Sequence, residues 1–127
     1  MESKKIVHLG IDTESISRID KLFRKLDKYF LDRLYTYEEQ KLCLNKLSSE
    51  IYLARNFSMK EAVSKLLGTG FKKVEWNEIA IYEDKDNDTV VSLQGKALEC
   101  FNESLSKKIH CTYSIWDDEV LTIVISE

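Results

Sequence analysis

Proline is absent from the 127-residue chain and glycine occurs only four times. No function follows from the missing proline. Cysteine is also scarce: Cys43, Cys100 and Cys111 form an odd set with no close pairing, which suggests neither a disulfide framework nor a zinc knuckle. Such thiols fit a reduced, cytoplasmic setting. No stretch approaches the ~18–20 apolar residues of a membrane span, and the apolar run in MESKKIVHLGID is too short for a signal peptide. The expectation is a soluble, intracellular protein with no membrane partner. A basic excess is missing as well. With a net charge of −3 and a pI near 5.5, the chain lacks the usual footprint of a nucleic-acid binder.

What is present suits a folded chain. Hydrophobic residues make up 43% and charged residues 32%, enough apolar surface for one self-sufficient domain over residues 1–127. Lys5 to Ile11 reads as a buried strand. A helix starting near Ser15 carries Ile19, Leu22, Phe23, Leu26 and Phe30 on one face. Thr36 and Glu39 have the spacing of a capping box, followed by Leu42, Leu44 and Leu47. A third helical region covers about Glu50 to Leu67, with a break expected near Asn56-Phe57-Ser58. Alternation then takes over. VEWNEIAIYED, with Val74, Trp76, Ile79 and Ile81, and DTVVSL read as strands joined by the polar Asp84–Asp88 loop. A short helix follows Gly95, and IHCTYSI and EVLTIVIS complete an α+β order of β, three helices, ββ, α, ββ.

Two constellations carry no chemistry. Asp84, Asp86 and Asp88 imitate the start of a calcium loop, but Thr89 stands where its glycine belongs and Gly95 where its glutamate belongs. His8 and His110 have no Ser or Cys partner at a useful spacing, so a nucleophilic triad lacks support.

NFSMKEAVSKLLGTGF, Asn56 to Phe71, is different. Met59, Ala62, Val63 and Leu66 make a core-facing stripe, and Glu61 and Lys65 fall one turn apart on the other side, with Gly68 beyond. A surface ion pair with a glycine C-cap explains these residues, except for Gly70. Two glycines around Thr69 also suit close approach of a ligand such as phosphate to the backbone. Both readings stand on spacing alone. Arg18, Lys21, Arg24 and Lys25 likewise form either a solvated helix face or a docking face.

KEAVSKLLGTG resembles the signature of the holo-acyl-carrier-protein synthase family, the small 4′-phosphopantetheinyl transferases. HLGIDTESISRI is similar to that family's opening strand, YTYEE to its Phe-Thr-x-x-Glu segment, and VVSLQGKA to the strand before its last helix. The likeness spans nearly the whole chain in the right order. It implies an antiparallel sheet with helices inserted after the first strand. The implied reaction is Mg2+-dependent transfer of phosphopantetheine from coenzyme A to a serine of an apo acyl carrier protein, releasing adenosine 3′,5′-bisphosphate. The resemblance makes Asp12 and Glu61 the metal ligands and Lys65 the cation facing the pyrophosphate. It places Arg55, Ser64, Gly68, Thr69, Gly70 and Ser114 near the coenzyme. Arg18, Lys21, Arg24 and Lys25 would meet the acidic carrier, and the assembly would be a homotrimer with sites between subunits.

The sequence departs from the pattern at Thr112-Tyr113-Ser114-Ile115-Trp116. Ile115 occupies the place of a histidine that lies near the coenzyme phosphates in this family. Loss of a charged phosphate contact commonly costs about 1.5–3 kcal/mol. A divergent paralogue that binds carrier or coenzyme and transfers poorly is the alternative this substitution motivates.

Overall fold

The first and last strands meet along their whole lengths. The computed structural model describes residues 5–127; the first four, where the segment weighed as a signal peptide begins, lie outside them. Strand β1 (His8–Ser15) pairs antiparallel with β5 (Glu119–Ser126), which in turn pairs with β4 (Ile109–Trp116), giving the order β1-β5-β4. The strand expected over 5–11 therefore lies further along. Polar Asp12 to Ser15 extend it because Thr122 to Glu119 hydrogen-bond to them in register. With side chains alternating between faces, Gly10, Asp12 and Glu14 point to one side and Leu9, Ile11 and Thr13 to the other.

Four helices, not three, follow β1: α1 (Ile16–Lys25), α2 (Lys28–Leu34), α3 (Tyr37–Leu44) and α4 (Ser49–Leu67). The single helix expected through Phe30 is cut at Leu26, whose backbone is extended, and Asp27 starts α2 by accepting from the Phe30 N–H at 3.1 Å. An Asp side chain satisfies an orphan donor at a helix start, so it favours a new N-terminus over continuation. Leu22 and Phe30 are left largely exposed. At α3 the capping box forms as read: Thr36 Oγ1 accepts from Glu39 N, and Glu39 Oε1 accepts from Thr36 N, both at 3.1 Å.

Helix α4 runs without the expected break. Asn and Ser disturb helices when they bond their own backbone, and here both are engaged elsewhere. Asn56 donates to Glu39 Oε2 and accepts from Arg55, while Ser58 bonds Thr122 Oγ1 at 2.8 Å. The Met59, Ala62, Val63, Leu66 stripe is buried as its period predicts. It packs with Val74, Ile79, Ile81, Val91, Ala97 and Val124. A second cluster joins Ile16, Ile19 and Phe23 of α1 to Tyr35, Ala54 and Val120.

Strands β2 (Ile79–Glu83) and β3 (Thr89–Leu93) form a separate hairpin. Trp76 is not in a strand. Its ring stacks on Phe71 at 3.8 Å and on Phe57 at 4.9 Å, and Trp76–Glu78 close into one 3-10 turn. In the hairpin loop Asp84 Oδ1 accepts from the N–H groups of Asp86 and Asp88 at 2.9 and 3.0 Å, so this carboxylate organises the turn. Helix α5 (Gly95–Glu103) precedes β4.

Candidate active site

Gly10 makes the site possible. A Cβ built there would stand 1.9 Å from the Ala62 carbonyl oxygen, so only glycine lets the α4 backbone lie directly on β1. Two residues later Asp12 points to the same side, toward the α4 turn that carries Glu61 and Lys65. Lys65 Nζ donates to Asp12 Oδ1 and to the Ile11 carbonyl, each at 3.0 Å. The Asp12 side chain is 10% exposed and that of Lys65 52%.

The second oxygen, Asp12 Oδ2, is buried and has no hydrogen-bond donor. Such atoms are rare because each costs the desolvation of a polar group, most of all a charged one. Beside it, burial raises the pKa of the Glu61 carboxyl, the Asp12 charge adds to the rise, and Lys65 opposes it. Burial and then Asp12 likewise raise Glu14, against the pull of Arg18. Asp12 thus acts on Glu61 across α4 and on Glu14 along β1. A hard divalent cation, which takes carboxylate oxygens, suits Asp12 with its orphaned Oδ2 and Glu61.

The remaining sequence candidates divide. Gly68, at φ +74°, is the left-handed C-cap of α4, and Gly70, at φ +57°, needs the same backbone region. Conformation thus accounts for both glycines, and the space a Cβ would occupy is open at each. Thr69 Oγ1 donates to the Gly70 carbonyl at 2.8 Å. Ser64 is engaged within its own helix end. It is buried, its hydroxyl donates to the Glu61 carbonyl at 2.7 Å, and its own carbonyl accepts from Thr69 and Gly70. Its side chain shapes the end of α4.

Arg55 is engaged too. It is 1% exposed, is held by Asn56 Oδ1, lies 3.7 Å from Glu83 and packs against the Tyr52 and Tyr113 rings. Tyr113 belongs to β4, the opposite edge of the sheet from Asp12, so one chain does not bring Arg55 to the carboxylates. Ser114 lies on β4 too, pairs with Leu121 and shares the sheet face of Leu9 and Ile11, away from Asp12. Exposed Ile115 lines a cleft of about 530 Å³ with Lys46, Ser48, Ile51 and Tyr52.

The predicted docking helix does face solvent, but two of its cations are engaged. Arg18 bonds Glu14 at 2.5 Å and Arg24 bonds Asp20 at 3.0 Å. Lys21 and Lys25 are exposed and carry no ion pair among the described residues.

Sequence reading missed three contributors. Gly10 is visible only once α4 is known to cross β1. Glu14 sits two residues after Asp12, a spacing that strand alternation marks as one face. Lys60 is fully buried, with Nζ 2.7 Å from Glu39 Oε1 and further bonds to the Trp76 and Ile79 carbonyls. Burial lowers its pKa and Glu39 opposes the change. Its neighbour Met59 lies on the core stripe, and that phase was the available signal.

This architecture coincides with that of a known class. Residues 8–124 match the model of the 4′-phosphopantetheinyl transferase superfamily. A holo-[acyl-carrier-protein] synthase of Lachnoclostridium phytofermentans is 35% identical over 122 residues, spanning 96% of both chains. One of Natranaerobius thermophilus is 34% identical over 109 residues, covering 86% of this chain and 87% of its own. Among solved structures, the holo-[acyl-carrier-protein] synthase of Neisseria meningitidis superposes with a TM-score of 0.85 at 30% identity, covering 97% of this chain and 99% of its own. That of Helicobacter pylori, in complex with coenzyme A, gives 0.78 at 28% identity over 94% of this chain and 99% of its own. The chain belongs to the 4′-phosphopantetheinyl transferase superfamily.

Proposed function

We propose that this chain is a holo-[acyl-carrier-protein] synthase: it transfers the 4′-phosphopantetheine of coenzyme A to a serine of an apo acyl carrier protein. The observation that carries the reading is the buried, donorless Asp12 Oδ2 where β1 meets the Glu61 turn of α4. Asp12 and Glu61 would hold Mg2+, which when bound neutralises the pyrophosphate and helps to align it for displacement. Lys65, now on Asp12, is the exposed cation nearest that position. Its flexible stem can turn the ammonium toward a phosphate oxygen as a point charge. The carrier serine hydroxyl attacks the coenzyme pyrophosphate, the P–O bond to adenosine 3′,5′-bisphosphate breaks, and a base takes the hydroxyl proton. Half-buried Glu61, with its raised proton affinity, suits a role in orienting a water for that transfer.

A homotrimer with shared sites is part of the proposal. Arg55 and Ser114 lie at the β4 edge, remote from Asp12 within one chain, so a second copy has to bring such groups to the coenzyme. The apolar outer face of the sheet favours this assembly. Exposed Leu9 and Ile11 stand beside Ile125 and Ile123 there, a patch that another protein surface would bury. A cytoplasmic location agrees with the three free thiols, and no described helix is long and apolar enough to cross a membrane.

The test is to mix the protein with coenzyme A, Mg2+ and an apo carrier and weigh the carrier by mass spectrometry. A mass gain of one phosphopantetheine is expected, lost in Glu61→Gln. Ile115, apolar where a phosphate contact is wanted, favours the second reading of a paralogue that binds without transferring. No gain with several carriers beside a working control enzyme would select that reading, and an increased rate in Ile115→His would tie it to this residue.

A further inference from the structure

We propose that Asp118 is a positioning residue for carrier recognition: it pins the start of α1 to the turn between β4 and β5 and so aims the basic face of that helix. This rests on the carrier-docking reading of α1 and extends it to a residue which that reading does not use. A helix leaves its first N–H groups without partners of its own. At α1 two of them are met by Asp118, which is 101 positions away from Ser17. The Ile16 N–H donates to the Asp118 carbonyl at 2.7 Å and the Ser17 N–H to Asp118 Oδ1 at 3.0 Å. The Ser17 and Ser15 hydroxyls both donate to Asp118 Oδ2, at 2.6 and 2.9 Å. Ser15 Oγ in turn caps the helix by accepting from the Arg18 N–H at 3.2 Å. The bonds from Ser17 and Ser15 hold the Asp118 carboxyl below the usual carboxylate range, so it stays an anionic acceptor, the stronger kind.

The rest of α1 is held by apolar contact. Ile16, Ile19 and Phe23 pack with Tyr35, Ala54 and Val120, and such burial is non-directional. Directional bonds from α1 to the sheet gather at its first turn, while its far end stops at Leu26, where the backbone becomes extended. From Ile16 to Lys25 the helix rises about 13 Å, so a tilt of about 10° at Asp118 moves Lys25 by about 2 Å. A shift of that size takes a charged pair out of contact distance. The charge of Asp118 acts in the opposite sense. It lies within the field of Lys21 and repels an acidic partner, so by charge alone the helix would bind the carrier better without it. Positioning and simple electrostatics therefore predict effects of opposite sign.

The experiment titrates an apo acyl carrier protein into the full chain by calorimetry, without coenzyme. Asp118→Ala is expected to weaken carrier binding about fivefold or more, although it removes a negative charge beside Lys21. Ser17→Ala should weaken it in the same direction, and Ser17→Thr, which keeps the hydroxyl, should bind as the wild type does. The double variant Asp118→Ala with Ser17→Ala should lose little beyond Asp118→Ala alone, because both changes break one contact. Unchanged or tighter binding by Asp118→Ala overturns the proposal, and the docking reading survives if Lys25→Glu still weakens binding. A wild-type chain that binds no acidic carrier overturns both. Affinity for coenzyme A, measured in the same way, should not change in Asp118→Ala; an equal loss there would place the effect on β4 and overturn the proposal. Ser106→Ala is the control for instability, since it breaks the bond to Ser126 Oγ, 2.9 Å long, at the other end of β5. Melting curves compare the two variants. If Ser106→Ala weakens carrier binding as much as Asp118→Ala does, general destabilisation is the cause and the proposal falls.

Discussion

Single atoms decide whether this site exists. Gly10 is the clearest case, because the Ala62 carbonyl already occupies the space of a Cβ. Backbone cannot step aside as a flexible side chain can, so Gly10→Ala must push α4 away from β1. The expected cost is about 1–3 kcal/mol or more, as for other overpacked cores, read from urea unfolding. The same shift separates Glu61 from Asp12, so Mn2+ affinity should fall by a larger factor than in a distant variant of equal instability. An unchanged midpoint together with wild-type Mn2+ affinity would mean that the contact between α4 and β1 does not set the site.

At the scale of elements, the buried polar network explains why α4 is one helix. Glu39 closes its own capping box and also accepts from Lys60 and Asn56, so one carboxylate ties α3 to α4. Removing either partner strands a charge in a dry interior, and Glu39→Gln or Lys60→Met alone should each cost about 3–5 kcal/mol. The double variant removes both charges and should recover much of that loss in the same unfolding measurement. Additive losses would instead mean that the two residues act independently. This network also marks the limit of what was legible. The α4 stripe and the Thr36–Glu39 box rest on contacts a few residues apart, and both were read correctly. The break expected at Asn56 to Ser58 was wrong because their partners, Glu39 and Thr122, are remote in sequence. The apolar spacing continues through Leu26 to Phe30, but the Asp27 cap ends the first helix and starts a second. Of the site, Asp12, Glu61 and Lys65 came from family resemblance, and the structure brings them together. Polar Asp12 to Ser15 lack the apolar run that marks a strand, so Glu14 has no sequence signal, and the burial of Arg55 on the β4 side has no local signature either.

Over the whole molecule, charge is arranged against its own sum. The chain carries −3, yet α1 turns Arg18, Lys21, Arg24 and Lys25 outward. Two of those guanidinium groups are already paired, so Lys21 and Lys25 should dominate the attraction of an acidic carrier. Long-range attraction of this kind raises the association rate and fades as salt shortens its reach. Lys25→Glu should therefore slow carrier association several-fold at about 0.05 M ionic strength, with little effect on dissociation, and the difference should shrink near about 0.5 M. Stopped-flow fluorescence with a labelled apo carrier measures both rates. Lys107→Glu is the control. It alters net charge by the same amount, but its backbone bonds Glu127 beyond the end of β5, while Ser15, just before α1, pairs with Glu119 at the other end. If both variants slow association equally, net charge governs the encounter. If only Lys25→Glu does, the basic face of α1 aims the carrier at the Asp12 end of the sheet, where its serine is needed.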